Sequence, residues 1–304
     1  MMFFKPELFY QPSVQPDILG NPDSFADLRI GSDELIDRLY EPLRLKYPDY
    51  IRRENIGKDT SGEYDMWMYD FHPEHYRTTV YLQSGVHPIE TEGYFGLARI
   101  MAMIAHGELS ELRDSVRFIV IPAVSVYGIS QKSKADKIEK NYKILHNCLG
   151  INSNRDCFEQ SLNETRNVLS VISNFKNEIR FGFDLHTTTT ETWGDYLTVF
   201  PDRLPHKKLI EETNAFLRKR NITWRKENLV YCGTSSNYPT GSNRSSFASY
   251  ITEQMNVPVC TLEHSDFIFD SRLGTQRAMT RAVELYLNHI IQTLYFYTGG
   301  TRPL

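Results

Sequence analysis

The chain has 304 residues, of which 40% are hydrophobic and 24% charged, and its formal net charge is −4. That length can bury a large core, in one big α/β domain or two small ones. The mildly acidic balance argues against a nucleic-acid surface, which would be strongly basic, and no apolar run approaches the roughly 20 residues that cross a bilayer.

Residues 1–30 are rich in Pro, Asp, Asn and Ser and read as an irregular arm. The opening MMFFKPELFYQPSVQPD lacks the basic-then-apolar order and small-residue cleavage site of a secretory signal, which suggests a cytoplasmic protein. Residues 32–47 carry a helical apolar stripe, with Ser32 as a plausible N-cap and Pro42 as a kink or stop. Residues 64–71 alternate and read as a strand. Short β-rich runs then follow at 78–82, 116–122, 181–185, 196–200 and 257–262. Helical patterns follow at 92–105, 162–175, 205–218 and 276–295. Strands interleaved with helices predict a central, mostly parallel sheet covered on both faces. The four cysteines, Cys148, Cys157, Cys232 and Cys260, form no CxxC pair and read as reduced thiols.

Polar residues fall at the ends of these runs. In open α/β sheets, ligands bind outside the carboxyl ends of the strands. After the run at 78–82 comes Ser84-Gly85-Val86-His87-Pro88-Ile89-Glu90. The step from His87 to Glu90 lets an imidazole and a carboxylate face one point, as a Zn²⁺ ion requires; it also suits a plain helix N-terminus. The strand 181–185 ends in His186, with Asp184 two residues earlier on the same face and able to orient a ligand. The strand 257–262 ends in Glu263, which could move a proton beside a metal-activated water or simply form a surface ion pair. The loop Gly150-Ile151-Asn152-Ser153-Asn154-Arg155-Asp156 offers an Arg fork that matches a carboxylate.

The order HxxE, Gly-x-Asn-x-Asn-Arg, strand-end His186, Tyr238 in Asn237-Tyr238-Pro239, and strand-end Glu263 resembles the zinc carboxypeptidase family over residues from about 78 to about 290. The resemblance implies a single α/β domain over residues 31–304, with a mixed, mostly parallel eight-stranded sheet sandwiched by helices. It implies one Zn²⁺ per chain on His87, Glu90 and His186, with Glu263 as the general base. It further implies that Asn154 and Arg155 hold the carboxylate of a peptide substrate and that Tyr238 closes over it. Arg244 lies where the family shapes its side-chain pocket. Two departures stand out. Asn152 replaces the Asp that usually steadies the first His ligand. Between Gly128 and Gly150 there is no arginine to stabilise an oxyanion, only lysines, of which Lys140 or Lys137 is the favoured substitute. Two other readings remain. Asp184-Leu185-His186-Thr187 also resembles the aspartoacylase and succinylglutamate desuccinylase group, whose substrates are N-acyl amino acids. A non-catalytic binding module on the same fold is the third. Neither a nucleic-acid nor a membrane partner is expected.

Overall fold

The β-rich runs pair into one eight-stranded sheet. In a computed structural model, the described residues are 30–134, 146–188, 197–200, 230–232, 246–265 and positions 283, 286, 287, 290, 291, 293 and 294. The strands are β1 (Ile51–Lys58), β2 (Asp65–Phe71), β3 (Thr78–Ser84), β4 (Val116–Ile121), β5 (Ile179–Thr188), β6 (Leu197–Phe200), β7 (Val230–Cys232) and β8 (Val259–Ser265). They lie side by side in the order β1-β2-β4-β3-β5-β8-β6-β7. Pairings β3–β4, β3–β5, β5–β8 and β6–β7 are parallel, whereas β1–β2, β2–β4 and β6–β8 are antiparallel. The mixed sheet is therefore as expected, with parallel pairings in a narrow majority.

Successive residues of a strand point to opposite faces. Every residue of β4, and every residue of β3 after Thr78, is buried, so both faces of the central sheet are covered. The covering helices include α3 (Thr91–Ala105) against β3 and β5, and α6 (Asn163–Phe175) against β1. A third, α7 (Phe247–Gln254), packs on β8 and β5. Shorter helices are α1 (Ser32–Leu35), α2 (Glu41–Lys46), α4 (Ser110–Ser115) and α5 (Val126–Lys134). The arm at 1–29 and the helix expected at 205–218 lie outside the described residues. The described positions between 283 and 294 are all helical, as expected.

Two local expectations need correction. The N-cap of the first helix is Gly31, not Ser32; the Ser32 hydroxyl instead pairs with Ser130 Oγ at 2.7 Å, tying α1 to α5. The apolar stripe over 32–47 is not one continuous α-helix. A π-helical turn at Ile36–Tyr40 joins α1 to α2, where Pro42 sits in the first turn. Proline cannot donate to the preceding turn, so it is tolerated there and the irregularity falls just before it. β1 (IRRENIGK) shows no apolar alternation because it is an edge strand with only Ile51 buried.

A buried guanidinium braces the antiparallel side of the sheet. Arg117 on β4 donates from Nε and Nη2 to the two carboxylate oxygens of Asp70 on β2, both at 2.9 Å, and from Nη1 to Glu178 just before β5. The Arg117 and Asp70 side chains are each 9% exposed, whereas Glu178 is 45% exposed. Removing one partner of a buried pair leaves a charge without compensation. Asp70→Ala should therefore destabilise the chain by about 3–5 kcal/mol in urea unfolding. Glu178→Ala should cost about 1 kcal/mol or less, because its exposed carboxylate is screened by water.

Candidate metal centre

Sheet order brings the chemistry together. β3, β5 and β8 are neighbours and run parallel, so their carboxyl ends open on one edge. β3 leads into the loop that carries His87 and Glu90, β5 carries His186, and β8 carries Glu263 in register with His186. The side chain of Glu263 lies outside the described residues. So do Lys140, Tyr238 and Arg244.

The loop after β3 is stitched to the loop after β4. Ser84 Oγ donates to the Pro122 carbonyl at 2.6 Å, and Ser125 Oγ donates to the Val86 carbonyl at 2.7 Å. Gly85 turns the chain at φ +66°, and a Cβ there would meet Ile129 at 3.1 Å and the Ala123 backbone at 3.3 Å. A turn then closes from Glu90 N–H to the His87 carbonyl at 3.1 Å, and α3 begins at Thr91. Glu90 is the N-cap of α3 but its side chain makes no capping bond. It reaches across to β5 instead, where Oε2 accepts from Thr187 N at 3.0 Å and lies 2.9 Å from His186 Nδ1.

One ligand atom each of His87, Glu90 and His186 falls within 4.8 Å of the others, and Glu90 and His186 are buried. The His87 and His186 rings meet edge to face, 5.0 Å between centroids. Burial, with the nearby His186, His146 and Arg155, pushes the His87 pKa well below the ordinary range, so its imidazole is neutral and keeps a lone pair. Its Nδ1 is buried with no hydrogen-bond partner among the described residues. His186 goes the other way. Burial alone would lower its pKa, but Asp184 and Glu90 outweigh burial and raise it well above the usual value. Asp184 Oδ2 lies 2.8 Å from His186 Nε2, close enough for strong attraction though not aligned as a hydrogen bond. The site therefore gathers an uncommitted imidazole nitrogen, a second imidazole between two carboxylates, and a carboxylate oxygen. A catalytic zinc takes three such nitrogen and oxygen ligands. The residues fit that ion, and binding it would release the proton that Asp184 and Glu90 hold on His186.

The Asn-Arg loop follows a turn braced by Asn147. The Asn147 amide oxygen accepts from Leu149 N at 3.0 Å and Ile151 N at 3.2 Å, and its Nδ2 donates to the Ile151 carbonyl at 2.7 Å. Asn152 accepts from Asn154 N at 3.0 Å and caps a 3₁₀ turn, Ser153–Arg155. Asn154 Oδ1 accepts from Phe247 N at 2.9 Å, satisfying the first N–H of α7 and leaving the amide NH₂ as the donor end. Arg155 donates from Nη1 to the Asn154 carbonyl at 3.0 Å and stands close enough to His87 to influence its charge. The predicted carboxylate-binding pair and the predicted metal ligands thus share one neighbourhood.

Two residues carry no motif in the sequence. Tyr286, from the closing helix, donates its hydroxyl to the His186 carbonyl at 2.6 Å. His146 packs its ring 5.0 Å from that of His87.

The family model described as zinc carboxypeptidase matches residues 36–192, more than half of the chain. Among curated protein sequences, none matches. Solved structures share the fold at low identity. Bovine thrombin-activatable fibrinolysis inhibitor, in complex with tick carboxypeptidase inhibitor, aligns with TM-score 0.65 and 15% identity, over 90% of this chain and 98% of that one. A metallo-carboxypeptidase from Burkholderia cenocepacia aligns with TM-score 0.61 and 15% identity, over 89% and 70%. A metallo-carboxypeptidase from Pseudomonas aeruginosa, in complex with (2-guanidinoethylmercapto)succinic acid, aligns with TM-score 0.56 and 14% identity, over 86% and 68%.

The site depends on a close approach of α3 to β5. A Cβ on Gly93 would lie 2.9 Å from the Leu185 carbonyl oxygen, which is backbone and cannot swing aside. In an open helix, Gly→Ala would stabilise by about 1 kcal/mol. Here overpacking, worth about 1–3 kcal/mol, opposes that gain. Gly93→Ala should lower the melting temperature and weaken zinc binding, because α3 must withdraw and carry Glu90 away from His186. Unchanged zinc affinity in a metal-competition titration would contradict this coupling.

Proposed function

Because this chain belongs to the zinc carboxypeptidase family, we propose that it is a zinc-dependent metallocarboxypeptidase that cleaves the C-terminal peptide bond of a substrate with a free carboxylate. The observation that carries this reading is the convergence of His87, Glu90 and His186 at the ends of adjoining parallel strands. These three residues hold one Zn²⁺ per chain, within one catalytic unit of residues 31–304. When bound, that ion makes water more acidic and polarises a carbonyl. Asp184 keeps the His186 ring in the orientation that presents Nδ1 beside Glu90. Arg155 and the NH₂ of Asn154 receive the substrate's carboxylate. A Glu263 carboxylate oxygen takes the proton of the attacking water and hands it to the leaving nitrogen. Tyr238 hydrogen-bonds the substrate, Lys140 supplies positive charge near the developing oxyanion, and Arg244 favours an acidic C-terminal side chain.

Among the described residues no helix is long and apolar enough to cross a membrane. The structural relatives reported above are carboxypeptidases or a carboxypeptidase-inhibitor complex, which supports the peptidase reading over the deacylase one.

Metal analysis of purified protein should find zinc, and His186→Ala should lose it. Glu263→Gln should keep the zinc and lose turnover by about 10²–10⁴-fold, the usual contribution of a general base. Blocked dipeptides with a free C-terminus should be cleaved, and their C-terminally amidated forms spared. Faster hydrolysis of N-acyl amino acids would make the enzyme a deacylase. Bound zinc with neither activity would leave a binding module.

A further inference from the structure

We propose that Tyr286 is a positioning residue of the metal centre, acting through the peptide between His186 and Thr187 to fix the carboxylate of Glu90. This rests on the reading of Glu90 and His186 as ligands.

The case begins where β3 stops. Its last pairing with β5 joins Ser84 to Leu185, so among the described residues no strand lies on that side of β5 beyond Leu185. Side chains hold the next peptide instead. Tyr286 donates its hydroxyl to the His186 carbonyl at 2.6 Å. The N–H of the same peptide belongs to Thr187 and donates to Glu90 Oε2 at 3.0 Å. The two bonds therefore run in series, from hydroxyl to carbonyl and from N–H to carboxylate. A peptide that accepts at its oxygen is polarised and donates more strongly at its nitrogen. The Tyr286 hydroxyl thus tightens the hold of Thr187 on Glu90. Tyr286, His186 and Thr187 are all buried, so water does not compete for these bonds.

Helix α3 leaves room for this reach. Gly93 and Gly96 lie three residues apart, on one helix face. A Cβ on Gly96 would come within 3.4 Å of the Tyr286 ring, and one on Gly93 within 3.9 Å of its hydroxyl. The ring therefore lies along the glycine face of α3, with its hydroxyl at the end of β5. Glu90 depends on that end of the strand, because as the N-cap of α3 it makes no capping bond to its own helix. A tyrosine serving only as packing could satisfy its hydroxyl on any buried carbonyl. Here the carbonyl belongs to one candidate ligand, and the N–H of the same peptide is bound by another. Ligating carboxylates are themselves hydrogen-bonded, and losing such outer partners weakens metal binding.

The full chain tests this. Tyr286→Phe keeps the ring against α3 and removes the donor. By competition against a chromophoric chelator, it should bind zinc about 10-fold more weakly. In metal-free chain carrying isotope-labelled threonine, the Thr187 amide proton resonance should move upfield in Tyr286→Phe, the direction in which Glu90→Ala moves it. Tyr286→fluorotyrosine, a more acidic phenol of nearly the same shape, should move it downfield, and serves also where Tyr286→Phe fails to melt cooperatively. Unchanged zinc affinity in Tyr286→Phe, in a chain whose His186→Ala variant loses zinc, would overturn this inference alone. A Thr187 resonance that moves in neither Tyr286 variant would overturn it too, and make Tyr286 a packing residue even if zinc binding weakens. If the unsubstituted chain binds no zinc, the metal-site reading falls and this inference falls with it.

Discussion

The approach of the α3 N-terminus to the carboxyl end of β5 is the contact on which the site depends. Glu90 precedes the helix, His186 ends the strand, and nothing in the chain links them covalently within 95 residues. What joins them is the absence of a side chain at Gly93, which lets the helix backbone come down on the Leu185 carbonyl. At that distance Glu90 gives up local capping and accepts from Thr187 N. Tyr286 holds the other side of the same peptide by donating to the His186 carbonyl. Both hydrogen bonds fix backbone rather than side chain, so they set where the imidazole can be before any ion arrives.

That arrangement has a cost without a cation. Two carboxylates and the His186 imidazole are buried beside the half-buried His87, where desolvation disfavours charge. Asp184 and Glu90 favour the protonated form of His186, whereas burial favours a neutral His87. Among the described residues His87 Nδ1 is buried without a hydrogen-bond partner, the kind of unsatisfied group that native folds rarely tolerate without a functional reason. Stability is supplied elsewhere. The Arg117–Asp70 pair lies near the amino end of β4, away from the carboxyl ends of the strands where the site opens, and braces the frame there.

The central part of this fold was legible because fully buried strands read as apolar runs and their functional residues fall at the ends. VRFIVIP shows the first feature, and FGFDLH and VPVCTLEH show both. β1 was not legible because an exposed edge strand has no apolar period to detect. The π turn was not legible either, since a shift from one helical register to another keeps the same apolar stripe. His87, Glu90 and His186 stood out through spacing and order. His146 and Tyr286 did not, because their partners are a ring and a backbone carbonyl reached through tertiary contact, which leaves no spacing signature.

The stretch from His146 to Asp156 carries this furthest. The turn closed by Asn147 spans only a few residues, yet His146 at its start meets His87 while Asn154 and Arg155 lie just beyond its end. Asp156 then accepts from Leu162 N at 2.9 Å, anchoring the chain where it enters α6. Asn154 anchors it a second time, on the first N–H of α7. The segment is braced by Asn147 near its start and anchored by Asn154 and Asp156 near its end, which restrains it as a unit. In such a loop Asn154 and Arg155, the proposed carboxylate-binding pair, keep a constant separation from His146, whose ring meets that of His87. Catalysis by positioning depends on that constancy, since a shift of about 1 Å can cost on the order of 10²-fold in rate. Asn152, where the family has Asp, uses its amide oxygen on Asn154 N and so stiffens the same segment.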